Sequence, residues 1–331
     1  MRLLLIAVIT FSLSIQALAQ VAVPSLDPSI SSDLPSVTSF RYHNTGALSY
    51  GTGTLESDDG DGDFKESGGM LALNMDGLGL EAYMNSFKFD GEFGDSAGTI
   101  DFTRESRSSQ IGISYLLNGF LSIGVGQYSN NLVDEGSGSS SFKDEHDISA
   151  LKLSANLLLS EIFFLGAGIN NFTKTGTSGD SSGTYDRQEL EWQETVLGAA
   201  LLIGDPGDFQ LKAELSMKSS PEVGETTSGQ VIKNGNRKSD ATTGIIEIKS
   251  GDYFVSYTAQ TIQEAEIDEK YTKDERSEKT SELSTLGIGY VNKEGFMLTL
   301  YATTRNETEK DTGGDRETDW KQTTISVGYN F

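Results

Sequence analysis

The chain closes on Thr323-Thr324-Ile325-Ser326-Val327-Gly328-Tyr329-Asn330-Phe331. Thr323, Ile325, Val327, Tyr329 and Phe331 alternate with Gln322, Thr324, Ser326, Gly328 and Asn330. The two-residue period is that of a β-strand with one apolar and one polar face. The same alternation recurs upstream. Phe209, Leu211, Ala213, Leu215 and Met217 oppose Gln210, Lys212, Glu214, Ser216 and Lys218. Leu151, Leu153, Ala155, Leu157 and Leu159 oppose Lys152, Ser154 and Asn156, and Phe296, Leu298, Leu300 and Ala302 oppose Thr299, Tyr301, Thr303 and Arg305.

Short turns join such runs in pairs: Asp76-Gly77, Asn118-Gly119, Ser160-Glu161, Asp205-Pro206-Gly207-Asp208, Gly251-Asp252 and Lys293-Glu294-Gly295. Asp-Gly and Asn-Gly suit two-residue hairpins because both central positions tolerate positive φ. Between the pairs lie polar stretches at 56–67, 90–98, 130–146, 175–186, 219–240, 266–279 and 307–317, read as long loops. Aromatic residues mark the turn side. Phe120, Phe163, Phe209, Tyr253 and Phe296 follow short turns, and Tyr290, Tyr329 and Phe331 end the returning strands. A ring can straddle hydrocarbon and headgroup, so these residues predict a girdle at one membrane boundary.

The alternating final strand with its aromatic terminus resembles that of bacterial outer-membrane β-barrel proteins. In those proteins such an ending marks the chain for insertion by the barrel-assembly machinery, which gives Ile325, Val327, Tyr329 and Phe331 the role of assembly signal. Short turns alternating with long connections is also the asymmetry of such barrels, with the turns periplasmic. Six hairpins, an opening strand near 40–55 and the closing strand predict an all-β, antiparallel, up-and-down transmembrane barrel of about 14 strands, with 12 or 16 as alternatives. The barrel is expected over 40–331.

Arg2, the apolar run Leu3 to Phe11 and Ala17-Leu18-Ala19 predict a signal peptide over 1–19. Residues 20–39, bearing Pro24, Pro28 and Pro35, are expected as a periplasmic tail or a short lumen segment. The formal charge of −24 argues against nucleic acid or an anionic bilayer surface as partner. The absence of cysteine excludes disulfides, thiolate metal sites and a lipid-modified cysteine. Outer-membrane lipid with its lipopolysaccharide, the assembly machinery and small solutes are the expected partners of a monomer.

A 14-strand cylinder has a backbone radius of about 13 Å, too wide for wall side chains alone to fill. The expected pore lining is Lys152, Asn156, Gln210, Lys212, Glu214, Lys218, Glu247, Lys249, Tyr301 and Arg305, mixed in sign. Thr195 to Gly204 is apolar on both faces, which suggests packing on a plug or a bulge. Only His43 and His146 could serve histidine chemistry, and no catalytic constellation or cofactor motif surrounds either. His146 is expected to be a solvated loop residue. Asp58 to Asp63 lacks the glycine and glutamate of a calcium-binding EF-hand, so no metal site is expected.

In size and strand number the chain resembles OmpG-type porins and, less closely, FadL-type transporters. The first resemblance implies passive diffusion of small hydrophilic solutes across the outer membrane; the acidic loops add an expected weak cation preference, and no enzymatic activity is expected. The second implies transport of hydrophobic compounds. A non-conducting adhesin or receptor working through its loops is a further alternative.

Overall fold

The computed structural model describes residues 34, 44–95, 98–138, 141–160, 162–180, 185–204, 208–227, 230–268, 276–311 and 314–331. The predicted signal peptide and His43 lie outside them. Fourteen strands follow one another: β1 (Thr45–Ser57), β2 (Gly60–Met75), β3 (Leu78–Asp95), β4 (Gly98–Leu117), β5 (Leu121–Gly138), β6 (Phe142–Ser160), β7 (Phe163–Asp180), β8 (Tyr185–Gly204), β9 (Phe209–Thr227), β10 (Gln230–Ser250), β11 (Tyr253–Asp268), β12 (Arg276–Val291), β13 (Phe296–Asp311) and β14 (Gly314–Asn330). Each pairs antiparallel with its neighbours in sequence, and β1 pairs with β14 from Thr45↔Asn330 to Ser57↔Thr318. The closed barrel leaves no free sheet edge. The Phe331 N–H donates to the Asn44 carbonyl at 2.9 Å at the end where β1 begins and β14 stops, the near end.

Four of the six short turns stand where the sequence puts them, while Glu161 and 205–207 lie outside the described residues. Asp76 and Gly77 have φ of 52° and 89°, and Asn118 and Gly119 have 52° and 76°, so each pair holds two consecutive left-handed residues. That backbone matches the twist of the flanking strands.

The long connections are different. Residues read as loops at 56–67, 90–98, 130–146 and 307–317 are almost wholly strand, joined at the far end by tight connections such as Asp58-Asp59. The strands run from 13 to 21 residues, whereas about 9–11 cross a bilayer. The excess forms a barrel wall standing above the apolar belt.

Polarity explains why these extensions read as loops. Near the turns the outer face is apolar: Leu215 is 50% exposed, Leu298 45% and Val327 44%. Higher up the same face carries Lys65, Lys88, Asp90, Glu105 and Arg107. There the inner face turns apolar instead, with Leu55, Phe64, Phe87, Phe89, Phe102 and Trp320 in one buried cluster. A wall wetted outside needs its apolar face inside, as any sheet with one solvated face does.

The expected doubly apolar strand is also accounted for. Val196, Ala200 and Leu202 of β8 pack inside the barrel with Phe164 of β7 and with Leu34, which is completely buried. Leu34 lies in the 20–39 segment, whose other residues lie outside the described ones. An added Cβ at Gly166 or Gly168 would lie 2.7 Å from Leu34, so small residues of β7 open the seat it occupies.

Pairing between β8 and β9 runs from Gly204↔Gln210 to Thr195↔Ser219, lapses, and resumes at Glu189↔Thr226. Pro221, which has no N–H to donate, falls in the lapse.

Candidate functional site: an aromatic chamber above the belt

The chamber is built from alternate residues of five adjacent strands. Leu55 comes from β1, Phe64 from β2, Phe87, Phe89 and Phe93 from β3, Ile100 and Phe102 from β4, and Trp320 from β14. The rings meet tilted or edge to face: Phe64 lies 5.4 Å from Trp320 and 5.5 Å from Phe87, and Phe102 lies 5.9 Å from Phe89 and 5.8 Å from Phe93. Such pairs contribute about 0.5–1.5 kcal/mol each beyond their buried area. Phe89 lies flat along the wall over two glycines, Gly62 diagonally across on β2 and Gly91 two residues along its own strand. A Cβ at either would come within 2.4 or 2.6 Å of the ring.

Ion pairs fix the base of the chamber. Arg104 donates Nε and Nη2 to the two carboxylate oxygens of Asp134 at 2.5 and 2.6 Å, while its guanidinium carbon lies 5.6 Å from the Phe102 ring centroid. On the opposite flank Arg305 pairs with Glu307, Lys279 Nζ lies 2.8 Å from Glu307, and Arg305 stacks 5.9 Å from Trp320. Glu307 stands well above the belt. Burial raises its pKa, but Arg305 and Lys279 outweigh this and hold it below the ordinary carboxylate range. Charged groups so deep in the wall are tolerated because they are paired and hydrogen-bonded.

Over the rings lies a cavity of about 140 Å³. Leu55, Phe93, Ile100 and Phe102 form its apolar wall, and Asp58, Asp59 and Arg316 stand at its rim. An apolar cavity of about 150 Å³ holds one benzene ring, so this one suits a molecule of that size.

The expected pore-lining residues all face inward. Lys152, Asn156, Gln210, Lys212, Glu214, Glu247, Lys249, Tyr301 and Arg305 are no more than 7% exposed, and Lys218 is half-buried. They pack on their neighbours. Lys152 Nζ donates to Gln110 Oε1 at 2.7 Å, Gln110 Nε2 to Glu81 Oε1 at 3.0 Å, and Lys212 Nζ lies 3.5 Å from Glu247 and 3.7 Å from Glu214. Ile325, Val327, Tyr329 and Phe331 lie exposed on the outer face at the near end.

His146 is no loop residue. It sits on the inner face of β6, above the belt and only 3% exposed. Burial, then Lys174 and Arg104, push its pKa down to about 3, so it is neutral at ordinary pH.

A second aromatic group lies on β5, β7 and β8. Phe172 stacks on Trp192 at 4.8 Å with ring planes 5° apart, and Tyr128 meets Phe172 edge to face. Trp192 belongs to the stretch of β8 that β9 leaves unpaired.

The sequence did carry a signal for the chamber. Phe87, Phe89 and Phe93 keep the two-residue period among charges, as do Ile100, Phe102 and Arg104. Their phase is opposite to that of the membrane-facing runs, and the surrounding polarity hid it.

No family model matches the chain, and no curated protein matches it. Among solved structures it is similar to a FadL homologue of Pseudomonas aeruginosa, with 12% identity, a TM-score of 0.60, and coverage of 95% of this chain and 96% of that one. It is also similar to the toluene transporter TodX of Pseudomonas putida, with 13% identity, a TM-score of 0.53, and coverage of 91% and 93%. The toluene transporter TbuX of Ralstonia pickettii gives 9% identity, a TM-score of 0.54, and coverage of 92% and 94%. At these identities the likeness is one of fold, a closed barrel of the outer-membrane kind. The OmpG-type expectation finds no support among these neighbours.

Proposed function

We propose that this protein is an outer-membrane channel for small hydrophobic compounds, with the near end periplasmic and the aromatic chamber as the first station for a molecule arriving from outside. The observation that carries this reading is the inversion of polarity above the belt, where a water-facing wall encloses a ring-lined cavity. A hydrophilic solute gains nothing there. An apolar one gains roughly 25 cal/mol for each Å² removed from water. The packed polar layer around Lys152, Lys212 and Glu247 and the buried Leu34 also weigh against a standing aqueous bore. In this reading the hydrophobic-transport alternative displaces the porin, and the protein is a monomer without enzymatic role. Its outer belt meets lipid and lipopolysaccharide, and its final strand addresses the assembly machinery.

The test is uptake of radiolabelled toluene by Gram-negative cells producing the protein or carrying an empty vector. Faster initial uptake is expected with the protein, and a Phe89→Ala/Phe102→Ala double variant that still inserts should lose most of the gain. Uptake equal to the vector control would overturn the reading.

A further inference from the structure

The cavity over the rings is also bordered by charged side chains, most of them acidic. Five carboxylates (Asp58, Asp59, Glu307, Glu309 and Glu317) border it against two cations, Lys279 and Arg316, and Arg305 pairs with Glu307 from below, which leaves a formal −2. Both cations are already engaged. Lys279 is 2.8 Å from Glu307, and Arg316 Nη1 is 3.7 Å from Asp59 across the rim. Neither is arranged to receive a carboxylate from a ligand without giving up an acidic partner.

We infer that the chamber accepts neutral and cationic single-ring compounds and discriminates against carboxylates of the same size. This rests on the capture reading proposed above. A low-dielectric mouth bordered by one sign of charge focuses its potential. An excess of two negative charges at about 8 Å, even screened as in water, disfavours a bound anion by about six-fold. Phenylalanine faces add to the preference, because their negative quadrupole attracts a cation and repels a carboxylate. The chain's overall charge of −24 acts in the same direction on approaching solutes.

The experiment titrates benzylammonium, benzyl alcohol and benzoate against the full-length detergent-solubilised protein at pH 7. The readout is the fluorescence of Trp320, isolated by Trp192→Phe. Benzylammonium is expected to bind at least as tightly as benzyl alcohol, and benzoate about six-fold more weakly than benzyl alcohol. The Asp58→Asn/Asp59→Asn variant is expected to close most of that gap, and Phe102→Ala to weaken all three probes. Equal binding of the three, or tighter benzoate, overturns the charge rule while leaving capture intact. Binding of none overturns the capture reading and this inference together. A gap unchanged in the double aspartate variant, with folding confirmed by the heat-shift of the barrel on gels, overturns the assignment to the rim.

Discussion

Two buried side chains decide how firmly the chamber is held. Arg104 and Asp134 are 0% and 1% exposed and share a bidentate contact, so removing one partner leaves the other charge buried. Asp134→Ala is expected to destabilise the barrel by about 3–5 kcal/mol. The Arg104→Met/Asp134→Leu double change should cost less than the two single changes together, as thermal melting in detergent can establish. His146 sets a pH dependence. Its folded pKa of about 3 lies below its unfolded value of 6.5, so the unfolded chain takes up the proton first. The neutral histidine's stability is therefore present above pH 6.5 and lost progressively as pH falls toward 3. His146→Gln should flatten the decline in melting temperature between pH 7 and 4. An unchanged slope would show that His146 is not the group responsible.

At the scale of the element, the strands that build the chamber, β1 to β4 and β14, each join two parts of opposite polarity end to end. In β9 the lower part faces lipid with Leu215, and its alternate residue Glu214 is buried inside. Leu215→Arg near mid-membrane is expected to cost about 2–4 kcal/mol, while Glu214→Gln should leave insertion intact. Equal insertion defects in the two variants would contradict the assigned faces. The lower parts were legible because lipid-facing Phe, Leu, Ile and Val alternate in the phase a barrel requires, and Asp76-Gly77 and Asn118-Gly119 announce their turns. The upper parts were not, because their outer face carries the charges of ordinary loops while the inward Phe64, Phe89 and Trp320 are spaced too sparsely to outweigh them. Leu34 joins the elements to the lumen. Leu34→Asp should unseat the contact with Phe164 and Val196 and raise ion leakage across a reconstituted bilayer.

Across the whole molecule, strand number and closure were written in the alternating runs and their turns, whereas the use of the lumen was not. The inward faces of Lys152, Lys212 and Glu247 follow from period two alone, but their burial depends on neighbours two strands away, as where Lys152 reaches Gln110. Pairwise register does not reveal whether such side chains line water or pack on one another. The chamber likewise needs five strands aligned at one height, which no single segment encodes. The account therefore turns on a lumen that admits apolar molecules and excludes a standing column of water. Ionic current through the refolded, full-length protein in a planar lipid bilayer tests this most directly. The account predicts no stable open level at moderate voltage, and a long-lived ohmic conductance of porin type would contradict it.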